Sequence, residues 1–377
     1  MYNGTEVDMI SLGDADCLLV TEWSGNGPHR ILIDGGASGH AEIVKDFLRS
    51  RNIRNLWAVI CTHPHEDHAG GLIELVQDKS VGIATAWMHD IRNHIGGDSL
   101  RYASSGNSSR ADAVRQIVDT TEQLASAFVS RNLIPTEPFS GRSIAWFPSM
   151  TVLGPSAAFY QHILKEFTEV ETAPPVPYLP SLSGFGRIGD PQPRVPNPFG
   201  ISVYLSQPPA PPPANIFGSL IGALSESSLS KAPKTQPFNN TSVILGVISG
   251  GHRMLFTADA GSEALARVSS EWNHPSWMQV PHHGSDGNLS PTDIERFAPR
   301  FAYISACGDE SHPSRAIVSG LVKVGSEVFS THKSGSLRFS QGLVPARTDY
   351  SPAVPLTGTG TPMPMAGFAR LVYGTNG

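Results

Sequence analysis

Cysteine is scarce in this sequence: Cys17, Cys61 and Cys307 are the three among 377 residues, an odd number with no CxxC pair. That excludes a disulfide framework and reads as buried thiols in a reducing compartment. Charge is sparse too. Charged residues make up 16% and the formal net charge is −6, which argues against a protein that grips nucleic acid over a broad basic face. A nuclease built on this chain needs local charge, metal ions or a partner. No uncharged apolar run approaches the ~20 residues of a spanning helix. Met1 to Ile10 carries Glu6 and Asp8 and lacks the basic and apolar regions of a secretory signal. These absences predict a soluble, cytoplasmic protein with no membrane partner. No repeat of fixed period is present. What remains is ordinary globular composition, 40% hydrophobic, long enough for one large α/β domain or two modest ones.

Strand and turn signals alternate through the first sixty residues. Val7–Leu12 and Cys17–Glu22 flank a Gly13-Asp14-Ala15-Asp16 turn, and Arg30–Ile33 runs into Asp34-Gly35-Gly36. Ile43, Val44, Phe47 and Leu48 place an amphipathic helix over His40–Ser50. Leu56–Cys61 is an apolar strand, followed by a predicted helix at Gly71–Gln77 and a strand at Gly82–Met88. A longer helix covers Ala111–Ser130. From about 171 to 237 proline dominates, which removes ladder donors and helix interiors. This stretch reads as a long insertion, of the kind that serves as a lid or binding loop. Strands resume at Ser242–Ile248, Met254–Thr257, Trp277–Val280 and Phe301–Ser305, with a helix at Ser262–Ser270. The expected organisation is one hydrolase domain over 1–343, interrupted at 171–237, with an extended tail at 344–377.

The chemistry concentrates where the Leu56–Cys61 strand ends. Thr62-His63-Pro64-His65-Glu66-Asp67-His68-Ala69-Gly70-Gly71 holds three imidazoles and two carboxylates within six positions. A loop leaving a strand can aim several donors at one point, whereas a continued strand would send them to alternate faces. Imidazole nitrogen with carboxylate oxygen suits zinc or manganese, with iron also compatible.

This stretch resembles the signature of the metallo-β-lactamase fold superfamily. The resemblance implies a four-layer αββα sandwich of the α+β class, with two divalent metal ions at one edge. It assigns His63 and His65 to one metal, Asp67 and His68 to the other, Asp34 to orienting the cluster, and Asp259 to bridging. Downstream, Val280-Pro281-His282-His283-Gly284-Ser285, Ser305 and His312-Pro313 narrow the likeness. Together with Leu12-Gly13-Asp14-Ala15-Asp16 they resemble the soluble metallo-β-lactamase domain of the DNA-uptake protein ComEC and its stand-alone relatives. That likeness covers residues 5–90 and 239–340.

The third histidine of the first metal is absent from Thr151–Pro155, where the resemblance would place it. His89 is the candidate, ahead of His94 and His162. His283 is expected to ligate the second metal, with His282 facing substrate as a phosphate-binding group or proton donor; the reverse assignment stays open. Asp67, His282 and His312 form the expected catalytic set.

Two cations ~3.5–4 Å apart lower the pKa of a shared water and clamp attacking and leaving oxygens. Three functions fit. The first is a phosphodiesterase or nuclease, taking nucleic acid or a nucleotide and using a metal-bridged hydroxide. The second is a hydrolase of a small ester, lactone or phosphocholine-type substrate. The third is a metal-binding module with a protein partner in a defence-like complex.

Overall fold

Period-two alternation builds the first three strands. In β1 (Asn3–Met9), β2 (Leu18–Ser24) and β3 (Gly27–Ile33), the residues Val7, Met9, Leu18, Val20, Ile31 and Ile33 share one buried face. The intervening Leu19 and Leu32 point the other way, under a layer of helices. The computed structural model describes residues 2–105, 108–144, 147–168, 235–358 and 372–374, which belong to one compact unit. The proline-rich insertion falls almost wholly outside the described residues.

After the antiparallel trio come two parallel strands, each reached through a helix. α1 (Ala41–Ser50) leads to β4 (Asn55–Ile60), and α2 (Glu66–Asp78) leads to β5 (Gly82–Trp87). Parallel neighbours need such crossovers. α3 (Gly97–Ser104) and α4 (Ser109–Val129) follow, and α4 packs on α2. The second sheet repeats the plan. Antiparallel β6 (Ser143–Ile144) and β7 (Phe147–Gly154) precede α5 (Ala157–Thr168), and β8 (Ile244–Ser249) and β9 (His252–Phe256) extend the antiparallel part. Parallel β10 (Trp277–Gln279), β11 (Phe301–Ile304) and β12 (Glu327–Ser330) then join β9. β13 (Leu337–Leu343) returns to the first sheet beside β1, with β14 (Ser351–Pro352) and β15 (Val372–Gly374) beyond it.

The orders are β14-β15-β13-β1-β2-β3-β4-β5 and β12-β11-β10-β9-β8-β7-β6. Inner faces of both sheets meet in a core that includes Met9, Ile33, Phe256, Trp277, Tyr303 and Phe339. Leu48, Leu72 and Leu124 seal helices onto the outside of the first sheet, and Leu265, Ile294 and Ile317 onto the outside of the second. The expected αββα sandwich is what the chain forms.

Three details differ from the sequence reading. α2 starts at Glu66 and absorbs Asp67 and His68, because two carboxylates in its first turn complement the helix dipole. The predicted helix at 262–270 shrinks to α6 (Ser262–Leu265). The segment from 344 is no free tail as far as 358. Tyr350, Ala353 and Leu356 are buried, and Leu356 bridges to Val328.

Candidate metal centre

Strand exits supply the site. Asp34 follows β3, Thr62 to His65 follow β4, Asp259 follows β9, and His282 and His283 follow β10. Asp34 has a left-handed backbone (φ 58°) and accepts from the Thr62 amide at 2.8 Å and the Thr62 hydroxyl at 2.7 Å. Its Oδ2 also pairs with His68 Nδ1 at 2.8 Å. A carboxylate on Nδ1 places the proton there and leaves Nε2 as a bare lone pair. The two glycine pairs in the sequence now have a reason. A Cβ on Gly71 would run into the Gly35 carbonyl oxygen, and one on Gly35 into the Leu72 amide. Without side chains the loop after β3 and the start of α2 meet backbone to backbone, through Gly35 N–H to His68 O (2.9 Å) and Gly71 N–H to Gly36 O (2.8 Å). That contact holds Asp34 against His68.

The same preparation recurs around the site. The Thr62 hydroxyl gives its proton to Asp34, so it accepts from His63 Nδ1 at 3.2 Å and leaves His63 Nε2 bare. His283 Nδ1 donates to the Ser305 carbonyl at 3.0 Å, leaving its Nε2 bare, 3.2 Å from Asp67 Oδ2. Asp16 lies fully buried between the rings of His68 and His283. It accepts from Gln279 Nε2 at 2.7 Å and from the Ser305 hydroxyl.

Two groups of donors result, Asp67, His68, Asp259 and His283 in one, and His63, His65 and Asp259 in the other. Asp259 serves both. Its Oδ1 is 3.2 Å from His68 Nε2, and its Oδ2 is 3.5 Å from His63 Nε2. His63 Nε2 lies 2.9 Å from His65 Nδ1. His68 Nε2 and both Asp259 oxygens are buried without a hydrogen-bond partner, an arrangement that costs several kcal/mol unless a cation fills it. Two cations fit this donor set. The electrostatics show the same demand for positive charge, which a second proton on His68 would meet if no cation were bound. Burial works against charge on His68, yet Asp259, Asp67 and Asp34 outweigh it and lift its pKa well above the ordinary value. Burial likewise opposes charge on Asp259, which His68 and His63 overcome, holding it well below the carboxylate range. Burial and the neighbouring His63 push His65 down to about 3, so its ring is neutral and free to ligate.

The structure thus brings together His63, His65, Asp67, His68, Asp259 and His283. His282 stands beside them with Nε2 3.7 Å from Asp259 Oδ2, and the His312 ring centroid is 5.8 Å from that of His282. His89 is a correction. It is 4% exposed and packed between the rings of Phe139 and Tyr160, at 4.5 and 4.4 Å, and belongs to neither donor group. β5 is the edge strand of its sheet, and the chain leaving it sets His89 against Tyr160 of α5. His94 pairs with Glu137 and His162 with Glu166. A cavity of about 520 Å³ opens over the site, walled by Ser109, Asp112 and Gln116 of α4 and by Gln236 and Asn239. A second hollow of about 510 Å³, lined by Leu153, Phe159 and Arg267, holds none of the donors.

Sequence reasoning missed Asn288. It is fully buried and bonded to His282 Nδ1 at 2.8 Å and to the Asp259 carbonyl at 2.7 Å. Asn240, whose Oδ1 accepts from the Gly261 amide at 3.1 Å, also went unseen as a support of the Asp259 loop.

Residues 11–130 match the family model of the metallo-beta-lactamase superfamily. This is a metallo-β-lactamase fold. ComE operon protein 3 of Bacillus subtilis (strain 168) is 26% identical over 113 residues, 29% of this chain; the match spans 15% of that protein's length. The metallo-beta-lactamase fold protein YhfI from Bacillus subtilis aligns at 12% identity with a TM-score of 0.42, over 90% of this chain and 100% of that one. A diphosphatase from the PhnP family aligns at 9% identity with a TM-score of 0.39, over 90% and 98%. Members of the superfamily are generally metal-dependent hydrolases, and the fold typically binds divalent metals. No helix among the described residues is long and apolar enough to cross a membrane.

Proposed function

We propose that this protein is a metal-dependent phosphodiesterase acting on a small phosphodiester of nucleotide size. The observation that carries the reading is Asp259, whose two buried, unpartnered oxygens each face a separate group of imidazoles beneath an open polar cavity. Zinc or manganese held there would acidify a water and neutralise charge on the phosphoryl oxygens. The chain's own residues do the rest. Asp34, Thr62 and Ser305 fix the rings of His68, His63 and His283, so no reorganisation is needed as charge develops. His312 stands beside His282 and His283, its Nδ1 3.1 Å from Asp14 Oδ2. This arrangement suits a proton donor to the leaving oxygen.

Among the described residues the cavity lining contains no lysine or arginine, while Glu66 and Asp112 are part of it. Phosphate-rich strands are gripped by cations, so the lining favours a small substrate over a nucleic-acid strand. It equally admits the second reading, a small ester, lactone or phosphocholine-type substrate. Metal analysis combined with hydrolysis of bis-p-nitrophenyl phosphate, plasmid DNA, RNA and a lactone panel decides between them. Turnover of the small phosphodiester well above that of DNA, RNA and lactones is expected. Lactone turnover with an inert phosphodiester would replace the proposal by the second reading.

A further inference from the structure

His63 and His65 lack the third imidazole that His89 was expected to bring, and His282, which lies outside the compact group of His63, His65 and Asp259, approaches that group through its shared carboxylate. Its Nε2 lies 3.7 Å from Asp259 Oδ2, the same oxygen that is 3.5 Å from His63 Nε2. His65, Asp259 and His282 line one cavity. The tautomer of His282 follows from Asn288. The Asn288 amide nitrogen donates to the Asp259 carbonyl at 2.7 Å and to the Thr235 hydroxyl at 3.0 Å. A carbonyl only accepts, so the amide cannot be turned over, and Asn288 Oδ1 must face His282 Nδ1 at 2.8 Å. The ring proton therefore sits on Nδ1. Nε2 presents a lone pair toward a carboxylate oxygen, which is repulsive unless a cation or a second ring proton lies between them. Asp34 and the Ser305 carbonyl prepare His68 and His283 in the same way.

Backbone geometry lets neighbouring histidines serve different cations. His282, His283 and Gly284 have φ of 50°, 55° and 78°, three successive left-handed residues. This conformation is costly outside glycine and concentrates at functional sites. The His282 amide anchors it by donating to the Ala258 carbonyl at 3.1 Å. His283 then reaches Asp67, and His282 reaches the other side of Asp259.

We propose that His282 is the third imidazole of the cation group formed by His63, His65 and Asp259, and that Asn288 is the positioning residue that sets its tautomer. The proposal rests on the two-cation reading above but on no particular substrate. It is tested by zinc titration of the full chain, stripped of metal, against a chromophoric chelator. Wild type should bind two ions. His282→Ala should weaken one site by at least about 100-fold, and Asn288→Ala the same site by about 10–100-fold, the range for a residue that orients a ligand. The other site should keep its affinity. Nitrogen-15 spectra of the histidine rings in the metal-free wild type give a second readout, independent of whether a variant folds. They should show His282 protonated on Nδ1, with its Nε2 resonance moving when zinc is added. Two full-affinity sites in His282→Ala, or a proton on His282 Nε2, would overturn the assignment and leave the phosphodiesterase reading standing. Two bound zinc ions with no hydrolysis of any phosphodiester would defeat that reading and leave the assignment in place.

Discussion

At the scale of single residues the site is a set of lone pairs and carboxylates that calls for positive charge, and Asp259 is its centre. Asp259→Ala removes the donor common to both groups, so metal content should fall by at least one ion and hydrolysis should nearly vanish while the fold persists. Metal analysis with circular dichroism on the same sample checks this, and a variant that keeps both ions would place the bridge elsewhere. Asp34 acts one step back. It holds the proton on His68 Nδ1, so Asp34→Ala should cost about 10–100-fold in metal affinity without removing any ligand. Much of this was legible in the sequence, because one short segment carries four donors and because Asp34 and Asp259 each follow a strand. Asn288 and Asp16 were not legible. Asn288 works on a carbonyl 29 residues away, and Asp16 on side chains 263 and 289 positions distant, so no local pattern marks them. His89 shared the strand-end signal of the clustered donors, and only strand order separates it from them.

At the scale of elements, the pairing of α2 with the loop after β3 depends on two glycines. Gly71→Ala forces the helix away from Gly35 and so draws His68 from Asp34. The expected cost is about 1–3 kcal/mol of stability, as for other overpacked sites, together with weakened metal binding. Denaturant titration with and without zinc checks both halves. On β1 a second tension is built in. Asp8 is fully buried on the outer face, accepting from the Tyr350 hydroxyl at 2.7 Å. Burial, reinforced by nearby Glu6, raises its pKa to about 6. The folded state therefore holds a proton that the unfolded state has released, and stability falls as pH climbs from about 4 to 6. At about 1.4 kcal/mol per unit the loss amounts to about 3 kcal/mol. Asp8→Asn should flatten that slope, so its stability relative to wild type rises by up to this amount between pH 4 and pH 7. An unchanged slope would show that Asp8 is ionised throughout. The strands and helices around both features were readable from their periodicity. Their exact ends were not, since helix dipole and tertiary contact decided where α2 begins.

At the scale of the whole molecule, two sheets of similar plan meet face to face, and metal donors come from both. Ions that bind only the folded form should stabilise it by about 2.7 kcal/mol for each site held at a hundredfold its dissociation constant. A chelator should accordingly lower Tm more in wild type than in Asp259→Ala. Calorimetry with and without added zinc measures this. His63, His65, Asp67 and His68 all precede residue 169, whereas Asp259, His282 and His283 all follow residue 234. Were the chain cut once anywhere between those positions, no covalent link would join the two sets of ligands. The ions themselves would then become a reversible joint between two separate polypeptides. The grip between them would loosen whenever free metal was scarce and tighten when it returned.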